Sequence, residues 1–162
     1  MIFCPIPIRE YKVTQRFGGN QATYSSFGLV GHNGIDLARK YAWSDRSVYA
    51  PHEGYVKLYT GDTGYGNYIV IQSLPHTACG EGRQSTLAHL ASFLITDGQF
   101  VYAGQKIGIM GSTGFSTGIH LHWTYRKTKN GVVQDLDNGF KGAIDVSPNV
   151  LPLLLTPLGR DS

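Results

Sequence analysis

The chain has 162 residues, of which 41% are hydrophobic and 15% charged, so its composition is that of one globular domain rather than a disordered segment. Its formal net charge is +3, and its 14 Lys and Arg residues are spread thinly, which excludes the basic stripe of a nucleic-acid-binding domain. Glycine, at 21 residues, and the lack of long helix-forming runs favour short strands joined by tight turns.

The two cysteines and the chain ends give further limits. Cys4 and Cys79 fit neither a zinc-binding Cys-x-x-Cys pattern nor a disulfide framework, and the sequence leaves open whether they pair. The first residues lack a basic segment followed by a long apolar run, so no signal peptide is predicted. The apolar stretch 150–155 is short and interrupted by proline, so it is not expected to span a bilayer. We therefore expect a soluble chain without its own export signal.

Apolar runs with a period of two, or short buried-looking runs, predict a series of strands. They cover 11–17, 32–38, 48–50, 55–59, 67–72, 85–90, 101–109 and 118–126, with a weak return strand in 132–149. Gly-, Ser- and Asn-rich stretches predict loops at 18–31, 39–47 and 73–84 and turns at 61–66 and 127–131. No segment has a sustained helical period. The pattern predicts a mainly β chain: a single antiparallel β-sheet domain with long loops and little helix.

The segment 118–123 contains two histidines two residues apart, His120 and His122. Because strand side chains alternate, both imidazoles are expected on one face, with Leu121 and Trp123 on the other, core-facing side. Such a pair alone more often marks two surface histidines. Its meaning therefore depends on whether the chain supplies partners that complete a metal site.

Candidate partners lie in the segment from His32 to Asp36. Gly34 between them allows the backbone to bend, so that an imidazole and a carboxylate can converge despite strand parity. His122 would be the third ligand, and two histidines, one aspartate and a water suit Zn²⁺. His89 lies in an apolar strand, where a core histidine with one hydrogen bond and a functional histidine are equally good readings.

Several motifs of the chain occur together in a fixed order and cover residues 14–126. They are GHNGIDL (31–37), VYAPHEGYV (48–56), GYGNYIVI (64–71), LAHL (87–90), VYAGQKIG (101–108), GSTG (111–114) and HLH (120–122). On these motifs the chain resembles the lysostaphin-type, LytM-like zinc metallopeptidases, which cut peptide bonds in bacterial cell-wall peptidoglycan. The resemblance implies one peptidase domain over 1–162, with a motif-bearing core at 14–126 and extended flanks at 1–13 and 132–162.

The resemblance also implies roles for individual residues. It assigns one zinc ion per chain to His32, Asp36 and His122, and it makes His89 and His120 the catalytic histidines. The family has a substrate groove, and Tyr65 and Asn67 would lie beside it. For these two residues, substrate contact and ordinary turn chemistry are equal alternatives. His52 and His76 have no ligand spacing and are predicted to be solvated loop residues. The expected partner is peptidoglycan, without nucleic acid and without membrane insertion.

Two substitutions depart from the family pattern without touching a predicted ligand. Leu87 stands where an aromatic residue is frequent, and Thr124 stands where a Glu commonly follows the His-x-His segment. The alternative function is a non-catalytic peptidoglycan-binding, regulatory or structural module of the same fold, since some relatives have lost ligands. The full set of five residues in this chain argues against that alternative. Without an export signal, the chain is expected to be a phage-borne or lysis-released lytic enzyme, which reaches the wall as a virion component or after host lysis.

Overall fold

The structure is a computed structural model, and it describes residues 1–7 and 10–147. Within these ranges the chain forms eleven β-strands and one short helix, α1, at Gln21–Tyr24, which runs into a 3-10 turn at Ser25–Phe27. The strands are β1 Tyr11–Gln15, β2 Ile35–Arg39, β3 Ser47–Tyr49, β4 Gly54–Asp62, β5 Gly66–Gln72, β6 Glu81–Ala88, β7 Leu90–Phe93, β8 Phe100–Val101, β9 Lys106–Met110, β10 Leu121–Lys129 and β11 Val132–Val133. The predicted mainly β, antiparallel fold is confirmed.

The strands form two antiparallel sheets. The larger has the order β1-β2-β10-β6-β5-β4-β8, with β11 paired to β10, and the smaller has the order β3-β9-β7. Apolar side chains from both sheets form one core cluster, which includes Ile69 and Ile71 of β5 together with Ile107 of β9. The second sheet was not anticipated, because short apolar runs do not reveal which sheet a strand joins.

Strand β10 lies in the middle of the larger sheet, between β2 and β6. Its first six residues are buried on both faces, so the usual alternation of buried and exposed positions is absent there. Trp123 is 1% exposed and lies in the apolar core as predicted, with its Nε1–H donated to Ser85 Oγ at 3.2 Å. The opposite face of β10, which carries His122 and Arg126, lines a groove.

The chain passes from the larger to the smaller sheet at His89, between β6 and β7. Its φ is +63°, in the left-handed region that non-glycine residues rarely adopt. Two backbone hydrogen bonds hold this conformation: His89 N–H donates to the Tyr65 carbonyl at 2.9 Å, and Gly111 N–H donates to the His89 carbonyl at 3.0 Å. A conformation that costs of order 1 kcal/mol or more persists only where surrounding contacts fix it, and such residues cluster at functional sites.

Several predicted boundaries are wrong. The predicted strand 85–90 is interrupted at His89, and the predicted strand 101–109 is really β8 and β9, in different sheets. The predicted loop 73–84 ends early, because β6 starts at Glu81 and continues the pairing with β10 as far as Lys129. The predicted loop 18–31 contains α1 and the 3-10 turn. Of the predicted return segment 132–149, β11 is the strand observed, and residues 148 and 149 lie outside the described ranges.

The first residues of the chain are packed against the domain, and the two cysteines are not bonded to each other. Residues 1–7 pack onto the domain through Ile2, Cys4 and Ile6, each less than 9% exposed. Cys4 is buried, Cys79 is exposed, and both are free thiols. Over residues 1–7 and 10–147 there is no helix of the length and apolar character needed to cross a membrane.

Candidate metal and catalytic site

Three predicted ligand residues meet at one edge of β10. His122 and Asp36 are directly opposite each other in the pairing of β10 with β2, and His32 enters from the segment just before β2. His122 Nδ1 lies 2.9 Å from Asp36 Oδ1, His32 Nε2 lies 3.1 Å from the same oxygen, and the two ring nitrogens are 2.8 Å apart. All three residues are at most 6% exposed. The fold therefore brings three possible metal-donor atoms together in a buried position.

The outer ring nitrogens orient these two imidazoles. His32 Nδ1 is 3.0 Å from the carbonyl oxygen of Arg16, which can only accept, so Nδ1 carries the proton and Nε2 presents a lone pair. His122 Nε2 lies 2.9 Å from Thr124 Oγ1, which can accept a hydrogen bond from Nε2–H. The proton is then on Nε2, and the Nδ1 lone pair faces Asp36. Hydrogen bonds of this kind fix the tautomer and the ring orientation of metal-ligating histidines.

The donor set fits a zinc ion. Ligands of tetrahedral zinc at about 2.0–2.2 Å from the ion are roughly 3.3–3.6 Å from one another. The separations of 2.8, 2.9 and 3.1 Å are a few tenths of an ångström shorter, so small outward shifts of the side chains suffice. Two imidazole nitrogens and a carboxylate oxygen form a set that zinc accepts, with one position left open.

The pKa values within the cluster agree with a cation-binding site. Burial alone would raise the pKa of Asp36, but its close contacts with the ring nitrogens of His122 and His32 outweigh burial and hold that pKa well below its usual range. Burial lowers the pKa of His122, and the neighbouring Asp36 only partly opposes that shift. An ionised carboxylate beside an imidazole that resists protonation is the state in which both can ligate a metal.

His89 and His120 flank this cluster. Their ring centroids are 4.6 Å apart, and His120 Nε2 lies 3.7 Å from Asp36 Oδ2. His89 Nδ1 is 2.8 Å from the Thr113 carbonyl oxygen, and His120 Nδ1 is 2.9 Å from that of Gly118. Each Nδ1 therefore donates its proton to a carbonyl, and each Nε2 is left as the basic nitrogen. Burial, with His122 and His120 nearby, lowers the pKa of His89 to about 4, so its ring is neutral at pH 7.

Asp36, His89, His120 and His122 line a groove of about 610 Å³, whereas His32 is fully buried and does not line it. The groove is lined by residues of the segment 20–29, which includes α1, of the turn 62–68 and of the loop 115–120. Of the three predicted loops, 18–31 contributes residues to the groove, whereas no residue of 39–47 or 73–84 lines it. Tyr41 and Trp43 stack on each other at 4.9 Å elsewhere on the surface.

The two predicted substrate contacts have different surroundings. Tyr65 lines the groove, its ring lies 5.5 Å from that of His122, and its hydroxyl accepts a hydrogen bond from Asn33 Nδ2 at 2.9 Å. Asn67 is not among the groove residues. Its side-chain oxygen accepts a hydrogen bond from Gly61 N–H at 3.3 Å, which is the turn chemistry that the sequence offered as the alternative.

The prediction for His52 as a solvated loop residue is wrong. It is 0% exposed, with Nδ1 2.8 Å from the carbonyl oxygen of Glu53 and Nε2 2.9 Å from Ser85 Oγ. Burial lowers the pKa of His52 to about 4. The turn composition around it gave no sign of burial, because the covering comes from distant strands. His76 is exposed in its loop, as predicted.

The sequence analysis also missed Arg126, which lines the groove and is 9% exposed. Its position was available from strand parity, since it follows His122 by four residues on β10 and so shares its face. Asn33, 4% exposed beside His32, was likewise not singled out, although it holds the Tyr65 hydroxyl.

Comparisons with known proteins now give the family. The model of peptidase family M23 matches residues 30–135. The peptidoglycan DD-endopeptidase ShyA of Vibrio cholerae is 37% identical over 114 residues, which cover 70% of this chain and 24% of that protein. The murein hydrolase activator NlpD of Escherichia coli is 34% identical over 120 residues, which cover 72% of this chain and 27% of that protein. The chain thus spans about a quarter of the length of these relatives.

Two solved structures have the same fold. A zinc-containing peptidase from Vibrio cholerae matches with a TM-score of 0.63 and 26% identity, covering 94% of this chain and 41% of that one. The catalytic domain of lysostaphin from Staphylococcus simulans matches with a TM-score of 0.61 and 26% identity, covering 85% of this chain and 90% of that one. With the family model matched across most of the chain and these relatives beside it, the chain belongs to peptidase family M23.

Proposed function

We propose that the chain is a zinc-dependent endopeptidase that hydrolyses peptide bonds in bacterial peptidoglycan. His32, Asp36 and His122 would hold one zinc ion, and His89 and His120 would be the catalytic residues. The observation that carries the proposal is the convergence of three donor atoms within 3.1 Å of one another, beside two further imidazoles that line the same groove as Asp36 and His122. A relative named as a peptidoglycan endopeptidase and a neighbour named as a zinc-containing peptidase support the substrate class and the metal.

The chemistry divides between the metal and the chain. When bound, a zinc ion supplies Lewis acidity that polarises a carbonyl and acidifies water at neutral pH. Peptide hydrolysis also needs one proton removed from the attacking water and one delivered to the departing amine. His89 and His120 offer Nε2 for these transfers, because each Nδ1 is held by a backbone carbonyl. In protonated form, either ring can also donate a hydrogen bond to the developing oxyanion.

The left-handed backbone of His89 contributes to this arrangement. It turns the chain out of β6 at the point where Ala88 is paired with His122, and so brings the His89 ring to 5.8 Å from the His122 ring. Tyr65, on the neighbouring wall, is the groove residue best placed to contact the peptide near the zinc ligands. We propose Tyr65 as a substrate contact and do not extend that role to Asn67.

The alternative is a module that binds or regulates at the wall without cleaving it, and it is favoured by the relative named as a murein hydrolase activator. The two functions separate in one experiment. Purified sacculi are incubated with the zinc-loaded protein, then sedimented, and both fractions are examined by mass spectrometry. A peptidase releases soluble fragments with a new amino terminus, whereas a binding module sediments with the sacculi and releases none.

The matched control is His120→Ala, which removes a catalytic ring but none of the three ligands. We expect it to sediment with sacculi like the wild type and to release fragments at least about 100-fold more slowly. Equal release by both proteins would contradict the proposed mechanism. Delivery to the wall as a phage-borne or lysis-released enzyme stays a prediction, which a proteomic search of virions for this chain would test.

A further inference from the structure

Arg126 is a buried cation at the groove for which the described part of the chain supplies no anion. Its side chain lies on the face of β10 that carries His122, and the residue is 9% exposed. Among residues 1–7 and 10–147, no carboxylate oxygen lies within 4.0 Å of its guanidinium; Asp36 and Asp62, the two acidic residues of the groove, are both farther away. Burying an unpaired charge is costly, so this arrangement calls for an explanation.

Two hydrogen bonds hold the guanidinium in place. Nε–H donates to the Lys141 carbonyl at 3.0 Å, and Nη1 donates to Thr86 Oγ1 at 3.1 Å. A guanidinium has five N–H donors, so a carbonyl and a hydroxyl leave most of its capacity unused among the described residues. A neutral side chain would serve equally to tie down the 138–143 turn. The positive charge is therefore not explained by the internal contacts.

The turn that supports Arg126 is held by internal hydrogen bonds and carries a second cation, Lys141. Asn138 Oδ1 accepts hydrogen bonds from Phe140 N–H at 2.9 Å and Gly142 N–H at 3.1 Å, which fixes the turn that contributes the Lys141 carbonyl. The Lys141 side chain lines the same groove, with Nζ 3.0 Å from the Phe27 carbonyl oxygen. Two positive side chains therefore line the groove, and the planar fork of an arginine matches a carboxylate.

We propose that Arg126, assisted by Lys141, forms a carboxylate-binding subsite of the groove. This inference rests on the proposed function, since the ligand is a peptide that occupies the groove beside the zinc ligands. Arg126 follows His122 by four strand residues, which is roughly 13 Å along β10. A peptide held with its scissile bond at His122 would place a free carboxylate several residues away, at Arg126. The preferred substrate is then a peptide with a free carboxylate on that side, rather than a neutral one.

The test uses two peptides that differ in one charge. The tetrapeptide L-Ala-D-isoGln-L-Lys-D-Ala is made with a free C-terminal carboxylate and, as its partner, with a C-terminal carboxamide. Binding of each to the zinc-loaded His120→Ala protein is measured by calorimetry, so that hydrolysis does not interfere. We expect the carboxylate form to bind at least about tenfold more tightly, as for a hydrogen-bonded buried charge.

Variants then show which side chain causes the preference for the carboxylate peptide over the carboxamide peptide. Arg126→Gln should abolish the preference, Arg126→Lys should retain part of it, and Lys141→Gln, at an exposed position, should reduce it only a few-fold. If circular dichroism shows that Arg126→Gln is unfolded, the difference in affinity between the acid and the amide, measured in the parent protein and in Arg126→Lys, still tests the subsite. Equal binding of the two peptides, no binding of the acid, or a preference that survives Arg126→Gln would overturn the proposal.

The two proposals can fail separately. A carboxylate preference in a protein that never cleaves sacculi would leave the subsite standing and remove the peptidase. Cleavage of sacculi, with equal affinity for the acid and the amide, would remove the subsite and leave the peptidase.

Discussion

Gly34 lies against His122 so closely that the imidazole occupies the space a side chain at position 34 would need. A Cβ at Gly34 would be 2.9 Å from His122 Nε2 and 2.6 Å from the Trp123 carbonyl oxygen, both far inside normal contact. From the sequence, Gly34 was predicted to let the backbone bend. In the structure Gly34 instead makes room for the imidazole that presents Nδ1 to Asp36.

We therefore expect Gly34→Ala to displace the His122 ring and weaken zinc binding at least about tenfold, since removing support around a metal ligand costs on that order. The affinity is measured by competition with a chromophoric chelator. Gly118→Ala is the matched control, because a Cβ there meets nothing within 4 Å. Zinc affinity unchanged in Gly34→Ala would contradict the assignment of His122 as a ligand.

Zinc should stabilise the folded chain, because the three donor atoms converge only in the native state. At a free zinc concentration of 1,000 times the dissociation constant, the gain in the free energy of unfolding is about 4 kcal/mol. Thermal unfolding of the wild type should shift to lower temperature with a chelator and recover when zinc is restored. His32→Ala should show the same Tm with and without zinc; a zinc-dependent rise in that variant would count against the ligand set.

Thr124 is expected to act on the metal through His122, because its Oγ1 lies 2.9 Å from Nε2 and sets the proton there. Thr124→Val keeps the shape but removes the acceptor, so a buried N–H loses its partner and zinc affinity should fall about 10- to 100-fold. Thr124→Ser keeps the hydroxyl and should bind zinc nearly as the wild type does. Chelator competition on the two variants measures this difference, and equal affinities would show that the hydroxyl has no such role.

The sequence predicted the common placement of His120 and His122 better than it predicted the architecture, although β10 begins at Leu121 and His120 precedes it. Strand parity put His120 and His122 on one face, and both lie within 3.7 Å of Asp36 oxygens. The convergence of His32 could not be derived from spacing, because it depends on the pairing of β2 with β10, across 86 residues. Local patterns predict which side chains share a strand face. Packing between distant segments decides which strands pair and which sheet each strand joins.

The errors have the same cause. The break at His89 needs a left-handed residue, and nothing in an apolar run of Leu87 to Leu90 marks one. The burial of His52 comes from Ser85, on a distant strand, and a turn composition cannot show it. The parity that places His122 also places Arg126, but an arginine on a strand ordinarily extends its charged end into solvent, so the pattern did not mark it.

His52 should make stability depend on pH. Burial lowers its pKa from 6.5 in the unfolded chain to about 4 in the folded chain, so the unfolded state binds more protons between these values. The stabilisation is fully present above pH 6.5 and is lost as the pH falls towards 4. Between pH 7 and pH 4.5 the free energy of unfolding should fall by about 2 kcal/mol more in the wild type than in His52→Gln.

Urea denaturation of both proteins at the two pH values measures that difference. A chelator is present throughout, so that loss of zinc at low pH does not contribute, and the remaining histidines titrate in both proteins. Identical pH dependence in wild type and His52→Gln would show that His52 does not stay neutral in the fold.

His120 and His122 are two residues apart and have separate proposed roles, with His122 holding the metal and His120 acting on the substrate. The most direct measurement determines bound zinc per chain by elemental analysis and fragment release from sacculi on the same preparations of His122→Ala and His120→Ala. We expect His122→Ala to lose both zinc and release, and His120→Ala to keep about one zinc per chain while release falls at least about 100-fold. Full zinc content in His122→Ala, or undiminished release in His120→Ala, would contradict the claim.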